Sequence, residues 1–328
     1  MERRTFLAAL GGSVIVMPVG TNAQPARGIP TIAFLGPPLE AGGMLPAFQQ
    51  GLADLGYVDG KNVKVEYRFN VAIQGNVDRL KELAAELVAL RPDVFVVSLS
   101  EVALVAKNAT STIPIVMANA ADPVAAGLVA SLAHPGGNVT GVSRQTPQLV
   151  AKQLQLLKEI LPRTSRVGLL LSRSGRLESA IVEAAQRTAA SLGMQISPVT
   201  ATTTAEIEQA FSNLRALRAD AVVVSVGGVF YLSRAQIAEL ALKHRLASIF
   251  GYREAVTAGG LMSYGENSSA NYHRAAYFVD KILKGAKPAD LPVEQPVKFE
   301  FVINRKTAKA IGVAIPQTLL VRADELVE

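Results

Sequence analysis

The sequence alternates, along most of its length, between short apolar runs and segments with apolar residues at helical spacing. Val94–Leu99 is a continuous apolar run of strand length, and Leu80, Leu83 and Leu87 precede it at the spacing of one helix face. A repeated order of strand and helix is typical of a parallel sheet whose two faces are covered by helices. The sequence therefore predicts an α/β fold.

Two such series of similar length follow one another. The first runs from Thr31–Leu35 to Val139–Val142, and the second runs from Arg166–Leu171 to Ala247–Phe250. A glycine-rich segment, Gly259–Gly265, then precedes a further helix. Because 328 residues suffice for two ordinary domains, we expect two lobes of the same architecture.

The first residues have the composition of an export signal. A charged start at Glu2-Arg3-Arg4 precedes an apolar stretch, Phe6–Val19, and small residues at Thr21-Asn22-Ala23 suit cleavage. Arg3-Arg4-Thr5-Phe6-Leu7 also matches the twin-arginine motif R-R-x-F-L, and an ordinary Sec signal with two arginines is the alternative. The chain has no cysteine that could carry a lipid anchor. The sequence predicts a signal peptide over residues 1–23 and an exported, soluble periplasmic protein.

Residue types that serve catalysis or metal binding are sparse. The three histidines, His134, His244 and His273, are far apart, and cysteine is absent. No P-loop, G-x-S-x-G elbow or dinucleotide-binding fingerprint follows a predicted strand. The net charge of +6 is spread along the chain rather than gathered in a basic stripe with aromatic residues. We expect no catalytic residue, no metal, no cofactor and no nucleic-acid partner.

A parallel sheet binds ligands beyond the carboxyl ends of its strands. Polar and aromatic side chains that follow predicted strands are therefore the candidate ligand-binding residues: Ser98, Ser100, Asn119, Asp122, Ser172, Arg173, Tyr252, Arg253 and Tyr264. Both arginines could hold a carboxylate in bidentate fashion. Ser100 and Asp122 could equally cap helices, and either tyrosine could cover the core instead of stacking on a ligand.

Several segments resemble the family of ABC transporter substrate-binding proteins that includes tryptophan- and tyrosine-type binders. They extend from about residue 30 to the end of the chain: Gly51–Val63, Ile113–Val116, Asp122–Val124, Gly127–Leu132, Pro135–Val142, Gly259–Gly265 and the closing segment from Asp290 to Glu325. The resemblance implies the type I periplasmic-binding-protein fold, in which two Rossmann-like lobes with parallel sheets are joined by three crossings. By this analogy, residues 29–142 and 262–286 form the N-terminal lobe, and residues 146–250 and 295–328 form the C-terminal lobe.

The same resemblance implies a function. Such a protein captures a small molecule, carboxylate-bearing or aromatic, in the cleft between its lobes and delivers it to an ABC permease in the inner membrane. Two alternatives stay open: an extracytoplasmic ligand sensor subunit with the same fold, and an exported hydrolase or isomerase. Neighbouring permease and ATPase genes would favour transport, whereas a membrane histidine kinase gene would favour sensing. An enzyme would need a catalytic constellation that three dispersed histidines do not supply.

Overall fold

The computed structural model describes residues 28–36, 43–69, 77–144, 146–172 and 176–328. The predicted signal peptide, residues 1–23, lies outside the described residues. Among the helices that are described, none combines the length and the apolar composition needed to cross a bilayer.

The first half of the chain forms a parallel sheet of five strands, here called the first sheet. Its strands are β1 (Thr31–Gly36), β2 (Lys64–Phe69), β3 (Val94–Val97), β4 (Ile115–Ala121) and β5 (Val139–Arg144). The helices between them are α1 (Met44–Asp54), α2 (Val77–Ala89) and α3 (Ser100–Ala109). The strand order is β2-β1-β3-β4-β5, and every neighbouring pair is parallel.

The second half forms a larger sheet of seven strands, here called the second sheet. Its strands are β6 (Arg166–Leu171), β7 (Gln195–Thr200), β8 (Ala221–Val224), β9 (Ala247–Phe250), β10 (Met262–Glu266), β11 (Phe299–Asn304) and β12 (Glu325–Val327). Their order is β12-β11-β10-β9-β8-β6-β7, and only the β10–β11 pair is antiparallel among these described strands. Strands β6 to β10 thus repeat the order of β1 to β5, which confirms the predicted α/β fold.

The remaining helices cover the second sheet and return to the first. They are α4 (Thr146–Ile160), α5 (Arg176–Ser191), α6 (Thr204–Ala216), α7 (Gly228–Leu232), α8 (Arg234–Lys243), α9 (Glu254–Thr257), α10 (Ser268–Leu283), α11 (Arg305–Ile311) and α12 (Gln317–Arg322). Each sheet is buried between helices on both faces, since two separate apolar clusters flank each of them. Long apolar strands such as β3 follow from this double cover.

The structure differs from the sequence-based division at residues 262–286. Strand β10 hydrogen-bonds to β9 and β11, so it belongs to the second sheet rather than to the N-terminal lobe. Helix α10 packs on the first sheet instead, where Tyr272 and Phe278 share an apolar cluster with Phe34 and Phe48. The chain changes sheets at Asn267, whose side chain caps α10 by accepting from the backbone N–H of Ala270 at 2.8 Å. A glycine-flanked strand does not reveal in the sequence which sheet it will join.

The chain passes between the sheets at three places. The first crossing lies between β5 and α4, the second between β10 and α10, and the third between Glu294 and β11. Glu294 remains tied to the first sheet because its backbone N–H donates to the carbonyl of Gly141 at 2.9 Å. Its carboxylate also accepts two hydrogen bonds of 2.8 Å from Arg274 of α10.

Candidate functional site

A cavity lies between the carboxyl ends of the strands of both sheets. The cavity itself is small, about 30 Å³, and the empty space counted together with its open mouth is about 440 Å³. Both sheets contribute to its walls, which are formed by Met44, Leu99, Asn119, Arg144, Val226, Gly227, Gly228, Tyr231, Leu232, Tyr252, Ser268 and Tyr272. We call this space the central cavity. It lies where parallel sheets of this topology bind ligands.

Most of the cavity wall is apolar or aromatic. Met44 and Leu99 contribute from the side of the first sheet, and Val226 and Leu232 contribute from the side of the second. Gly227 keeps the loop after β8 close to its neighbours, because an added Cβ would lie 2.8 Å from Oγ of Ser172. A wall of this kind suits a ligand with a flat, apolar body, and a few polar groups then decide its orientation.

Three polar atoms on the cavity-lining residues lack a hydrogen-bond partner within the described part of the chain. They are Nη2 of Arg144 and the hydroxyl groups of Tyr231 and Tyr252. Buried polar atoms in folded proteins are nearly always paired, so three such atoms on residues of one cavity wall are typical of a surface that meets a ligand. Both phenol rings belong to the second sheet's side and lie 5.3 Å apart between centroids.

Burial keeps the two phenols protonated. It raises the pKa of Tyr231 to about 12 and raises the pKa of Tyr252 as well, because the phenolate would lose its hydration. At neutral pH both groups therefore carry a proton that they can donate to an acceptor in the cavity.

A buried ion pair fixes the guanidinium of Arg144. Nε of Arg144 lies 3.0 Å from Oε2 of Glu266, and the two side chains are 5 % and 0 % exposed. Arg144 ends β5 and Glu266 ends β10, so the pair joins the first and second crossings between the sheets. Removing either partner would leave a buried charge without its counter-ion.

A second polar network holds the wall that α10 contributes. Asn119 of β4 donates from Nδ2 to Oγ of Ser268 at 3.3 Å, and Nδ2 of Asn271 donates to Oδ1 of Asn119 at 3.0 Å. The three side chains are buried. The network ties the start of α10 to the first sheet, so that Ser268 and Tyr272 face the central cavity from a fixed helix.

Two residues predicted from the sequence, Asn119 and Tyr252, line the central cavity. Ser98 lies at the end of β3, fully buried beside Tyr272, but it is not part of the lining. Ser172 is buried next to Gly227 and also stays behind the wall. Arg173 lies outside the described residues.

The other predicted residues lie outside the cavity lining. Ser100 donates its hydroxyl to the carbonyl of Ala121 at 2.7 Å. Asp122 accepts from the backbone N–H of Ala125 at 3.0 Å and stabilises a turn, not the helix that its neighbouring proline suggested. The polar side-chain atoms of both residues thus form hydrogen bonds with backbone groups.

Arg253 and Tyr264 are also engaged elsewhere. The guanidinium of Arg253 forms an ion pair with Glu325 and lies 3.9 Å from Glu300, in a partly exposed position. Tyr264 stacks on Phe299, with 5.7 Å between ring centroids, and packs on the apolar cluster of the second sheet. The sequence predicted that Arg253 would bring a positive charge to the cavity. In the structure Arg144 lies in the cavity wall and Arg253 does not.

Sequence reasoning missed several lining residues. Arg144 lies two residues after the predicted strand Val139–Val142, so the rule that selected the other strand-end residues could have found it. Tyr231 lies in a short helix after Gly227-Gly228, and nothing in its spacing separates it from a core residue. Ser268 and Tyr272 reach the cavity on α10, from a part of the chain that is distant in sequence.

Comparison with known proteins agrees with this geometry. The sequence profile of the ABC transporter substrate-binding proteins matches residues 42–327. The chain is 28 % identical, over 264 residues, to a tyrosine-binding protein of Clostridioides difficile, a match that covers 80 % of this chain and 75 % of that protein. The described residues hold no group of histidine and carboxylate side chains suited to a metal ion.

Solved structures show the same fold. A Streptococcus pneumoniae protein in complex with L-Trp superposes with a TM-score of 0.84 at 28 % identity, covering 92 % of this chain and 100 % of that one. A conserved domain protein of Vibrio cholerae gives a TM-score of 0.84 at 27 % identity, with 91 % and 100 % covered. A leucine-binding protein of Thermotoga maritima, at 15 % identity and a TM-score of 0.59 over 78 % and 83 % of the chains, shares the fold alone. The fold is that of type I periplasmic binding proteins.

Proposed function

This chain belongs to the ABC transporter substrate-binding proteins, and we propose that it captures a small molecule in the central cavity and delivers it to the permease of an ABC importer. The observation that supports this role is the composition of the cavity wall. Residues from both sheets enclose one space, and three of them, Arg144, Tyr231 and Tyr252, carry buried polar atoms that have no hydrogen-bond partner among the described residues. This arrangement suits the binding and orientation of a ligand.

Capture requires the two sheets to move apart and close again. A ligand in the central cavity touches both sides at once, so it stabilises the closed arrangement relative to an open one. We expect the crossings that follow Arg144, Glu266 and Glu294 to absorb this motion. The permease would then recognise the closed form.

The relatives suggest the size and character of the ligand. One is named for tyrosine, and another was solved with L-Trp. In this chain Tyr231, Tyr252 and Tyr272 provide aromatic surface around the cavity. Such surface favours a ligand with a planar ring, because offset and edge-on ring contacts add to the burial of apolar area.

The place of action follows from the proposed export signal. Residues 1–23 would direct the chain out of the cytoplasm, and the twin-arginine-like start would use the pathway for folded proteins. After cleavage of the signal peptide, the protein would act in the periplasm, where it would bind its ligand and meet the permease of the inner membrane.

Native mass spectrometry tests the binding role. The protein, purified without denaturation and incubated with a metabolite extract, should retain one small molecule, and small-angle scattering should then show a smaller radius of gyration. Leu232→Trp enlarges a partly exposed side chain of the cavity wall and should weaken both effects. Leu217→Trp is the matched control, because this exposed leucine does not line the central cavity. A parent protein that retains nothing and does not compact would contradict the role.

A further inference from the structure

Arg144 carries a hydrogen-bonding capacity that the protein itself does not use. Its guanidinium has five N–H donors in a fixed plane. Nε is engaged by Glu266 at 3.0 Å, whereas Nη2 is buried and has no acceptor within the described residues. A buried guanidinium with an unsatisfied edge is costly, so this edge is expected to meet an acceptor when the protein performs its function.

The position of this edge is fixed rather than adaptable. Glu266 is itself fully buried and holds Arg144 from one side, at the end of a strand in the other sheet. The guanidinium therefore keeps its orientation, and Arg144 is part of the wall of the central cavity. A ligand that binds here gains a preorganised donor and does not have to order a flexible arginine.

Carboxylate is the chemistry that best fits this edge. A planar guanidinium matches the two oxygens of a carboxylate, and hydrogen bonds between charged partners are stronger than those between neutral ones. A carboxylate also accepts further hydrogen bonds, which the protonated hydroxyls of Tyr231 and Tyr252 can donate. Three residues of the wall thus offer donors to an anionic group, while Met44, Leu99, Val226 and Leu232 supply apolar surface.

We infer that Arg144 binds a carboxylate group of the ligand, and that the body of this ligand is a planar ring packed on the aromatic and apolar wall of the central cavity. The inference rests on the proposed capture of a small molecule in this cavity. The ligand carboxylate then joins the ion pair of Arg144 and Glu266, so that binding engages two of the three crossings between the sheets.

The ring-bearing carboxylate could come from an amine-free acid or from an α-amino acid. An amino acid would bring an ammonium group close to Arg144 and would need a negative partner nearby. Glu254 begins α9, two residues after Tyr252 of the cavity wall, and is the group to test as that partner. Substituting Glu254 therefore separates the two sources.

Calorimetry on matched pairs of acids and amides tests the inference. The acids are benzoate, phenylacetate, 3-phenylpropanoate, L-Phe, L-Tyr and L-Trp, and each is compared with its primary amide. At least one acid should bind the parent protein, and its amide should bind at least a hundredfold more weakly because the charged contact with Arg144 is lost. Equal affinity of an acid and its amide, or binding of none of the acids, overturns the inference.

Variants then assign the contact. The double variant Arg144→Met with Glu266→Met removes both buried charges together, so no unpaired ion remains to unfold the protein. It should melt cooperatively and lose affinity for the acid by a hundredfold or more. Tyr231→Phe and Tyr252→Phe should each weaken binding by about tenfold. The control is Arg253→Met with Glu325→Gln, an ion pair outside the cavity, which should bind the acid as the parent does.

The outcomes distinguish the inference from the proposed function. If the double variant at Arg144 and Glu266 folds and binds the acid like the parent, Arg144 is not the carboxylate-binding residue. If native mass spectrometry instead finds a neutral or purely cationic molecule bound to the protein, the proposed capture of a small molecule is kept, and the inference that this molecule carries a carboxylate is contradicted. Loss of amino-acid binding in Glu254→Gln identifies an amino acid as the source. Binding of an amine-free acid by the parent that is unchanged in Glu254→Gln, with no binding of the amino acids, identifies an amine-free acid.

Discussion

The side-chain amide of Asn271 donates a hydrogen bond of 3.0 Å to the side-chain oxygen of Asn119, and this bond joins helix α10 to strand β4. Both side chains are buried. We expect Asn271→Ala to lower the free energy of unfolding by about 1–3 kcal/mol, because the oxygen of Asn119 is then left without its donor. Urea denaturation measures the change.

A surface hydrogen bond provides the control for this prediction. Gln209 donates to Asn213 at 3.0 Å on the exposed side of α6, and Gln209→Ala should cost no more than about 0.5 kcal/mol. The double variant Asn119→Ala with Asn271→Ala should be less destabilised than the sum of the single variants, since both partners are removed together. Strict additivity would show that the two amides do not depend on each other.

Arg253 is expected to be dispensable for ligand binding. Its guanidinium pairs with Glu325 in a partly exposed position and does not line the central cavity. Arg253→Ala should therefore change the dissociation constant of a bound ring-bearing acid by less than twofold, and the stability by at most about 1 kcal/mol. Calorimetry and thermal melting check both values. A hundredfold loss of affinity with normal melting would return the carboxylate contact to Arg253.

Glu254 should make the protein less stable as the pH rises. Burial raises the pKa of Glu254 above its usual value of 4.5, so the folded state holds this proton more tightly than the unfolded state does. The protonated form of Glu254 therefore contributes to the stability of the folded state. This contribution is fully present below pH 4.5 and is lost as the pH rises through the pKa of Glu254 in the folded state. Glu254→Gln should remove this loss and melt at a higher temperature than the parent at neutral pH.

The measurement is a series of melting curves from acidic to neutral pH. The difference between Glu254→Gln and the parent should shrink towards zero at the acidic end, because both side chains are then neutral. Glu208→Gln changes an exposed carboxylate and serves as the control. A constant difference between Glu254→Gln and the parent at every pH would show that the effect is steric.

Export should depend on the paired arginines of the signal. If Arg3 and Arg4 form a twin-arginine motif, replacing both with lysine should leave the precursor in the cytoplasm. Cell fractionation followed by immunoblotting measures this. A version with a Sec signal serves as the comparison, and unchanged export of the lysine variant would favour the Sec alternative.

Local patterns in the sequence were sufficient to predict the individual elements. Arg166–Leu171 and Ala247–Phe250 form strands with the predicted bounds, because continuous apolar runs flanked by polar residues have few other stable arrangements. The pairing of distant elements was not readable in the same way. Strand β10 joins the second sheet by backbone hydrogen bonds, and its residue types do not predict this pairing.

The site was predictable to the extent that it depends on strand ends. Asn119 and Tyr252 were found by that rule, and Arg144 follows it too. Tyr272 could not be found, because α10 comes to the cavity only through tertiary packing. Arg253 illustrates the opposite limit: it follows a strand, but its guanidinium is turned towards Glu325, a residue almost at the end of the chain.

Helix α10 has a consequence for how the protein is made. Residues 268–283 complete the apolar cluster around Phe34 and Phe48, although the rest of that cluster comes from the first half of the chain. During synthesis, the core of the first sheet therefore stays incomplete until α10 has emerged from the ribosome. A fragment that ends before residue 268 would therefore leave the apolar cluster around Phe34 and Phe48 uncovered, and the first half of the gene does not encode a complete folding unit.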